Sequence, residues 1–467
     1  MQYDIGIIGS GPGGYVAAIR AAQLGRSVVL IEESQLGGIC LNWGCIPTKS
    51  LLKSAQVWSD LSTLAEHGIS VEKPSFDLSK MVERSRRISQ SLGKGVEGLM
   101  RKHGVQVISG RGTITTSTPD AVHVQVFGAA PQRLTLKKLI LATGARARTL
   151  PLDLPEFMMW GAKEAMTPSH LPKKLLVIGA GAIGMEFASF YQALGTEVTV
   201  VEQGERILPQ EDEECTQLAQ QTFQKKGMKF MLGMQVSSVT CKDEQVHVVI
   251  SNDQGSSETW TGNLSKDRVL VAIGVIGNTE NLGLEHTTVQ VHQGHIVVDA
   301  AFQTHHANIC AIGDVIGTPW LAHLASHQGI SCVEHIVLGH GHAIDVGAIP
   351  GCTYTLPALA SFGLTEAKAK TLYDIKVGRF SFSGNGQALA QGAGTGLVKL
   401  VFEAKTGELL GAHLFGKESP ELLGALLVAR GLEATAEALS HVMFPHPTMS
   451  EMLHEAVLSA QGRVLHG

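Results

Sequence analysis

One device constrains this chain more than any other: a strand–turn–helix–strand unit that occurs twice. Ile5-Gly6-Ile7-Ile8 is a short apolar run, as a buried strand requires. It runs into Gly9-Ser10-Gly11-Pro12-Gly13-Gly14, which places Gly9, Gly11 and Gly14 as G-x-G-x-x-G. An Ala-rich helix over 15–24 follows, stopped by Gly25, and a second apolar run, 27–31, ends at Glu32. The unit returns with Leu175–Ile178 as strand, Gly179, Gly181 and Gly184 as turn, Ile183–Leu194 as helix and Glu197–Val201 as the next strand, closed by Glu202. In both copies the acid lies 23 residues after the first glycine. The first glycine permits a tight turn, the second admits a pyrophosphate to the backbone, and the third lets helix and strand pack closely. The helix N-terminus adds about half a positive charge facing the phosphates. A terminal Glu accepts from ribose hydroxyls and repels a 2′-phosphate, which favours NAD over NADP in the second copy. A single copy could be an ordinary Gly-rich turn; two complete copies imply two dinucleotides, and FAD with NAD is the economical pair.

Three further segments fit a nucleotide domain divided by an insertion. Lys138–Gly144, Arg268–Gly274 and Asn308–Asp314 are apolar runs ending in small or acidic residues. Strand ends at that edge are where open α/β sheets hold ligands. With 467 residues, about three domains are expected. The reading is an FAD-binding domain over 1–144 and 274–347, an NAD-binding domain over 145–273, and a third domain of α+β character over 348–467. A net charge of −5 gives no field favouring nucleic acid or an anionic membrane. Leu175–Gly195 is nearly apolar over a spanning length, but it holds Glu186 and the Gly turn and reads as strand plus helix. Met1-Gln2-Tyr3-Asp4 lacks a basic n-region, so the expectation is a cytoplasmic protein without a secretory signal.

Gly37-Gly38-Ile39-Cys40-Leu41-Asn42-Trp43-Gly44-Cys45-Ile46-Pro47-Thr48-Lys49 is the most specific text. Cys40 and Cys45 can close a small loop, and Pro47 suits the first turn of a following helix. That puts Cys45 near a helix N-terminus, which stabilises a thiolate. Two buried thiols or half a zinc site are the competing readings; no second cysteine pair completes a zinc site, and no metal is expected. The remaining five, Cys215, Cys241, Cys310, Cys332 and Cys352, read as core residues.

These motifs together resemble the pyridine nucleotide–disulfide oxidoreductases, and within them the dihydrolipoamide dehydrogenases, from end to end of the chain. The resemblance rests on the two Gly motifs, the Gly38–Lys49 text, Ala142-Thr143-Gly144, Glu205–Pro209, Ile312-Gly313-Asp314, Leu321-Ala322-His323 and His446-Pro447-Thr448-x-Ser450-Glu451. It implies two Rossmann-like domains and a C-terminal α+β dimerisation domain. It implies a homodimer whose active sites are shared, His446 reaching the disulfide of the other subunit and Glu451 orienting it. Cys40 would exchange with the substrate dithiol and Cys45 would face the flavin, beside a Lys49–Glu186 ion pair. The FAD residues it implies are Gly9, Gly11, Pro12, Gly14, Glu32, Gly38, Lys49, Gly112, Thr143, Gly144, Asp314, Leu321, Ala322 and His323. For NAD they are Gly179, Gly181, Ile183, Gly184, Glu186, Glu202, Val236 and Gly274. The activity implied is oxidation of protein-bound dihydrolipoamide with reduction of NAD⁺. Its partner would be the lipoyl domain and acyltransferase core of a 2-oxo acid dehydrogenase or another lipoyl carrier.

The chain departs from the pattern in places. Phe444 stands where many relatives carry a second histidine, Leu356 and Ala358 replace more polar residues, and Ala182 is smaller than usual, implying a more open nicotinamide pocket. Glutathione reductases are the nearest rivals, but Glu202 argues against NADPH. Large reductases with an extra C-terminal redox pair are excluded because the last cysteine is Cys352. A non-catalytic assembly protein is opposed by Cys40, Cys45, Lys49, His446 and Glu451 standing together.

Overall fold

A computed structural model describes residues 1–466. In chain order, the first segment holds β1 (Gln2–Ile8), α1 (Pro12–Gln23), β2 (Val28–Glu32), α2 (Gly38–Trp43), α3 (Cys45–Ser59) and α4 (Leu78–Lys102). β3 (Gln106–Ser109), β4 (Arg111–Ser117), β5 (Val122–Phe127), β6 (Gln132–Leu141) and β7 (Ala145–Ala147) complete it. A second segment runs β8 (Met159–Trp160), α5 (Ala162–Met166), β9 (Lys174–Ile178), α6 (Ala182–Ala193), β10 (Glu197–Glu202), α7 (Glu213–Lys225) and β11 (Lys229–Leu232). It ends in β12 (Gln235–Lys242), β13 (Gln245–Ser251), β14 (Ser257–Asn263) and β15 (Arg268–Val271). A third holds β16 (Val275–Gly277), β17 (Val291–His292), β18 (His295–Ile296), β19 (Ile309–Ala311) and α8 (Ala322–Leu338). The last runs β20 (Gly351–Thr353), β21 (Ala358–Gly363), α9 (Glu366–Lys370), β22 (Ile375–Ser381), α10 (Gly386–Ala390), β23 (Leu397–Glu403) and β24 (Leu409–Gly416), then α11 (Ser419–Gly431), α12 (Ala436–Ser440) and α13 (Glu451–Ala460).

The chain folds into two compact units. One comprises 1–51, 77–148 and 274–344, and the other 52–76, 149–273 and 345–467. The expected second and third domains therefore fall in a single unit. In the first, β3, β2, β1, β6 and β19 are parallel neighbours, and β6 is long enough to continue into an antiparallel ladder with β5 and β4. β1, β2 and β6 are buried where they meet, which is why they read as continuous apolar runs. Ala17, Ala18 and Ala21 form the inner face of α1. Gly329 on α8 is where that helix meets α1: a Cβ there would lie 2.6 Å from the Gly13 carbonyl oxygen. β7 and β16 pair antiparallel where the chain leaves and re-enters this unit.

In the second unit, β11, β10, β9, β15 and β8 form a parallel sheet, and β12–β14 an antiparallel one. Met158, Leu176, Val201, Val248 and Trp260 share the core between them. The last segment supplies an antiparallel sheet, β20-β21-β24-β23-β22, with α11 and α13 over a core that includes Phe382, Leu400, Phe402, Leu414, Leu423 and Leu453. No helix among the described residues is long and apolar enough to cross a membrane; the Leu175–Gly195 stretch is β9, the turn and α6.

An ion cluster joins the two parts of this unit. Lys399 on β23, with only 3% of its side chain exposed, donates to Asp212 at 2.8 Å and lies 2.8 Å from Glu366 and 3.1 Å from Glu214. Asp212 also caps α7 by accepting from Glu214 N. Burial pushes the Glu366 carboxyl up, but hydrogen bonds from Lys370 and Lys399 and the charges of Lys399 and Arg379 outweigh it and bring it down to about 2. Lys399→Ala leaves the buried Asp212 carboxylate without its cation, while Glu366 keeps Lys370 and Arg379, and is expected to cost about 3–5 kcal/mol in chemical denaturation. Because the folded Glu366 lies below its ordinary 4.5, its contribution is complete above that pH and is lost as pH falls towards 2. Acid titration of wild type and Lys399→Ala checks this: the variant, with only Lys370 and Arg379 left beside Glu366, should lose a smaller increment across the window.

Candidate active site

The two Gly turns are built alike. In the first, Gly9 N donates to Ile31 O at 2.9 Å and Ala142 N to Ile8 O at 2.8 Å, which seats the turn between β2 and β6. In the second, Gly179 N donates to Val201 O and Ala272 N to Ile178 O, each at 2.8 Å, seating it between β10 and β15. A Cβ on Gly14 would overlap the Gly9 carbonyl oxygen, and one on Gly184 the Gly179 carbonyl oxygen. A Cβ on Gly11 or Gly181 would meet nothing within 4 Å. Neither α1 nor α6 has a side-chain N-cap, so first-turn N–H groups face an open cradle. Both cradles fit a phosphate group. Pro12 is the first residue of α1; Ala182 and Ile183 are exposed at the start of α6.

The terminal acids tie the turns down. Glu32 accepts from Ser10 N at 2.9 Å, Ser10 Oγ at 2.6 Å and Ser34 N at 2.8 Å. Glu202 accepts from Ala180 N and Gly204 N, both at 2.8 Å. Each carboxylate thus holds its own loop in place while keeping acceptor capacity for a ribose hydroxyl.

Cys40 and Cys45 are joined by a disulfide, with Cα atoms 4.8 Å apart. Cys40 lies in α2, and Cys45 is the first residue of α3. Asn42, buried, holds α2 by donating to Leu36 O and Gly38 O, each at 3.0 Å. Gly38 packs on the first Gly turn: a Cβ there would lie 2.6 Å from Gly11 Cα. Lys49 is half-buried one turn after Cys45. Of the other cysteines, Cys215, Cys310 and Cys332 are buried as expected, but Cys241 is exposed and Cys352 half-buried. The expectation of five core cysteines is corrected for these two. Cys241 lies on β12, whose outward positions face solvent, and Cys352 on β20, at the edge of its sheet.

The remaining expected residues fall in several places. Thr143 and Gly144 form the turn after β6. Asp314 opens the turn after β19, where burial pushes its carboxyl up and the charge of His295 opposes that. Leu321, Ala322 and His323 start α8, and this helix too lacks a side-chain N-cap. Gly112 is buried in β4, where a Cβ would lie 3.1 Å from Ile8. Val236, half-buried on β12, packs on the core of its unit, and Gly274 accepts from Arg148 N at 2.9 Å where the chain returns.

Glu186 is buried on α6, and its Oε1 accepts from Tyr354 N at 2.9 Å. Leu356 N donates to Ser189 Oγ on the same helix, so the departure at Leu356 keeps a backbone bond in place. His446 Nδ1 and Glu451 Oε1 are 2.9 Å apart, while Glu451 Oε2 accepts from Thr448 N at 2.8 Å. The Thr448 N–H and the His446 ring hold the Glu451 carboxyl below its ordinary value. The His446 side chain is 81% exposed, an imidazole held at one nitrogen and open at the other. Phe444 packs against the C-terminal core.

Sequence reasoning missed two residues that shape these turns. Ser10, fully buried, bridges Glu32 to Gly37 N, and Asn278 pins Thr143 through its O and Nδ2 and Gly144 through its N. Ser10 stood inside the motif as an unassigned position; nothing marks an isolated Asn.

Residues 3–329 match the family described as pyridine nucleotide-disulphide oxidoreductase, and residues 349–457 match its dimerisation domain. The chain belongs to the pyridine nucleotide-disulphide oxidoreductases. Among members of this family, dihydrolipoyl dehydrogenases are similar over the whole chain. That of Zymomonas mobilis is 46% identical, over 100% of this chain and 99% of the relative. The Rhizobium etli enzyme is 47% identical over the same shares. The crystal structure of LpdA from Mycobacterium tuberculosis superposes with a TM-score of 0.89 at 26% identity, covering 97% of this chain and 99% of that one.

The two glycine positions in each turn are expected to behave differently. Gly184→Ala forces helix α6 off its strand and should lower the thermal midpoint, whereas Gly181→Ala should leave it unchanged. Thermal unfolding of the two variants checks the contrast.

Proposed function

We propose that this protein is a dihydrolipoyl dehydrogenase: it oxidises protein-bound dihydrolipoamide to lipoamide and reduces NAD⁺, working as a homodimer in the cytoplasm and serving the acyltransferase core of a 2-oxo acid dehydrogenase or another lipoyl carrier. The observation that carries this reading is the Cys40–Cys45 disulfide at the start of α3, beside the first of two dinucleotide turns that each end in a carboxylate. Whole-length relatedness to dihydrolipoyl dehydrogenases supports it.

FAD would be held by the Gly9–Gly14 turn, Glu32, Thr143, Gly144, Asp314 and the start of α8, and NAD⁺ by the Gly179–Gly184 turn, Glu202 and Glu186. When bound, FAD would supply a two-electron acceptor and NAD⁺ a final hydride acceptor. The residues of the chain do the rest. A lipoyl dithiol is weakly ionised near neutral pH, so it needs a base. The free nitrogen of His446 takes its proton, with Glu451 fixing the ring and stabilising the cation. The substrate thiolate attacks Cys40, and Cys45 leaves as a thiolate stabilised at the N-terminus of α3. The second substrate sulfur then displaces Cys40, releasing the cyclic disulfide and leaving a Cys40 thiol and a Cys45 thiolate. Lys49 would add a positive charge one turn after Cys45, favouring the negative charge that develops on reduction. Because His446 is open to solvent within its own chain, the second copy is the natural source of the base for each disulfide.

Purified protein given dihydrolipoamide and NAD⁺ should form NADH, and Cys45→Ser should abolish it. His446→Gln should lower kcat by about 10²–10⁴ while leaving the flavin bound. Folded, yellow protein that forms no NADH would overturn the lipoamide assignment in favour of glutathione-like disulfides with NADPH.

A further inference from the structure

The two helices that carry the cysteines are gripped by a third. From α4, Arg86 Nη2 donates to Asn42 O at 2.5 Å, and its guanidinium lies over the Trp43 ring, 4.3 Å from the centroid. Two residues earlier, Arg84 Nη1 donates to Ser50 Oγ at 2.8 Å and to Ser50 O at 3.2 Å. One arginine therefore holds the end of α2 and the other holds α3.

The position of Arg86 has an electrostatic meaning. α2 ends at Trp43, two residues before Cys45. Its last carbonyls present the negative end of the helix to that junction, while α3 presents its positive end. A thiolate at Cys45 is favoured by the second and opposed by the first. Arg86 sits on the opposing end, bonded to its carbonyl and stacked on its last side chain. Its Nε is buried and has no acceptor among the described residues. Arg86 is half-buried, and beyond the Asn42 carbonyl and the Trp43 ring its guanidinium has only a long 3.4 Å bond to Ser89 Oγ; placing a cation at this helix end accounts for its position.

We infer that Arg86 is a positioning residue for the cysteine pair: by capping the C-terminal end of α2 through the Asn42 carbonyl and the Trp43 ring, it stabilises the Cys45 thiolate. This rests on the reading of Cys40 and Cys45 as a redox pair. Reduction by a dithiol moves two electrons to the protein disulfide, makes the substrate disulfide, and leaves a Cys40 thiol, a Cys45 thiolate and one proton on the base. Arg86 acts on the thiolate alone. The other charged groups on the surrounding elements are Lys49 and Lys53 on α3, Glu83, Arg84 and Arg87 within one turn of Arg86 on α4 with Lys80, Lys94, Glu97, Arg101 and Lys102 farther along it, and Arg20 on α1, which is paired with Glu334. α2 carries no charged side chain.

The test uses full-length holoprotein carrying Cys40→Ser, so that Cys45 is a free thiol. His446→Asn is added throughout, so that no imidazole from a second copy titrates in the same range. Alkylation of Cys45 by iodoacetamide is followed against pH by peptide mass. The parent should show a midpoint well below the ordinary thiol value of about 8.5. Arg86→Ala and the neutral Arg86→Gln should raise it by about half a pH unit or more, and Arg86→Lys should stay near the parent. If Arg86→Ala fails to fold, Arg86→Gln decides. A neutral variant that folds and keeps the parent midpoint overturns the role of Arg86. A parent midpoint near 8.5 overturns instead the underlying reading of Cys45, before any Arg86 variant is made.

Discussion

Everything chemical in this protein depends on one close contact made twice: the α-carbon of the third glycine of each turn resting on the carbonyl oxygen of the first. That contact lets a helix start almost on top of the strand it follows. Only then do the first-turn N–H groups point into open space with no side chain in the way. The carboxylate at the end of the neighbouring strand completes the arrangement by binding the loop backbone itself. The loops are consequently in their binding shape already, and a nucleotide has little ordering left to do.

The disulfide uses the same logic at shorter range. Cys40 and Cys45 sit in a short helix and a four-turn one that meet end to end, so the leaving sulfur is placed at a helix N-terminus by the backbone rather than by a partner side chain. Gly38 packs the start of α2 directly on the first Gly turn, so redox centre and nucleotide cradle are in contact. The His446–Glu451 pair is built the opposite way. It stands at the surface, locally oriented and open to solvent, as a group meant to act on something its own chain does not supply.

What could be read in the sequence was whatever is local. The two strand–turn–helix units, with their acids, and the helix after Cys45 are specified by neighbours within about 25 residues; β1 and α1 each start three residues before the expected bounds, the other elements of the two units lie within one residue of theirs, and the short α2 was not foreseen. Long-range matters were hidden. Asn278 reaches Thr143 across 135 residues, and Lys399 reaches Asp212 across 187. No periodicity announces such partners. Arg86 was invisible for the same reason: in a helix rich in Arg and Lys, nothing local distinguishes the one that stacks on Trp43. Cys241 was misread as core because a lone cysteine on an alternating strand can face either side.

The antiparallel pair β7–β16 has a consequence for how the chain is made. The strand leaving the first unit and the strand returning to it lie side by side, so the two ends of the inserted segment, at Ala147 and Val275, are neighbours. During synthesis the parallel sheet of the inserted segment has all its strands once Val271 has emerged. The sheet of the first unit still lacks β19, which pairs with β6 about 170 residues after that strand was made, and α8, which covers α1. The first unit's sheet is therefore completed after the parallel sheet inserted into it, and the surface of α1 that α8 covers stays open until residue 338 has left the ribosome.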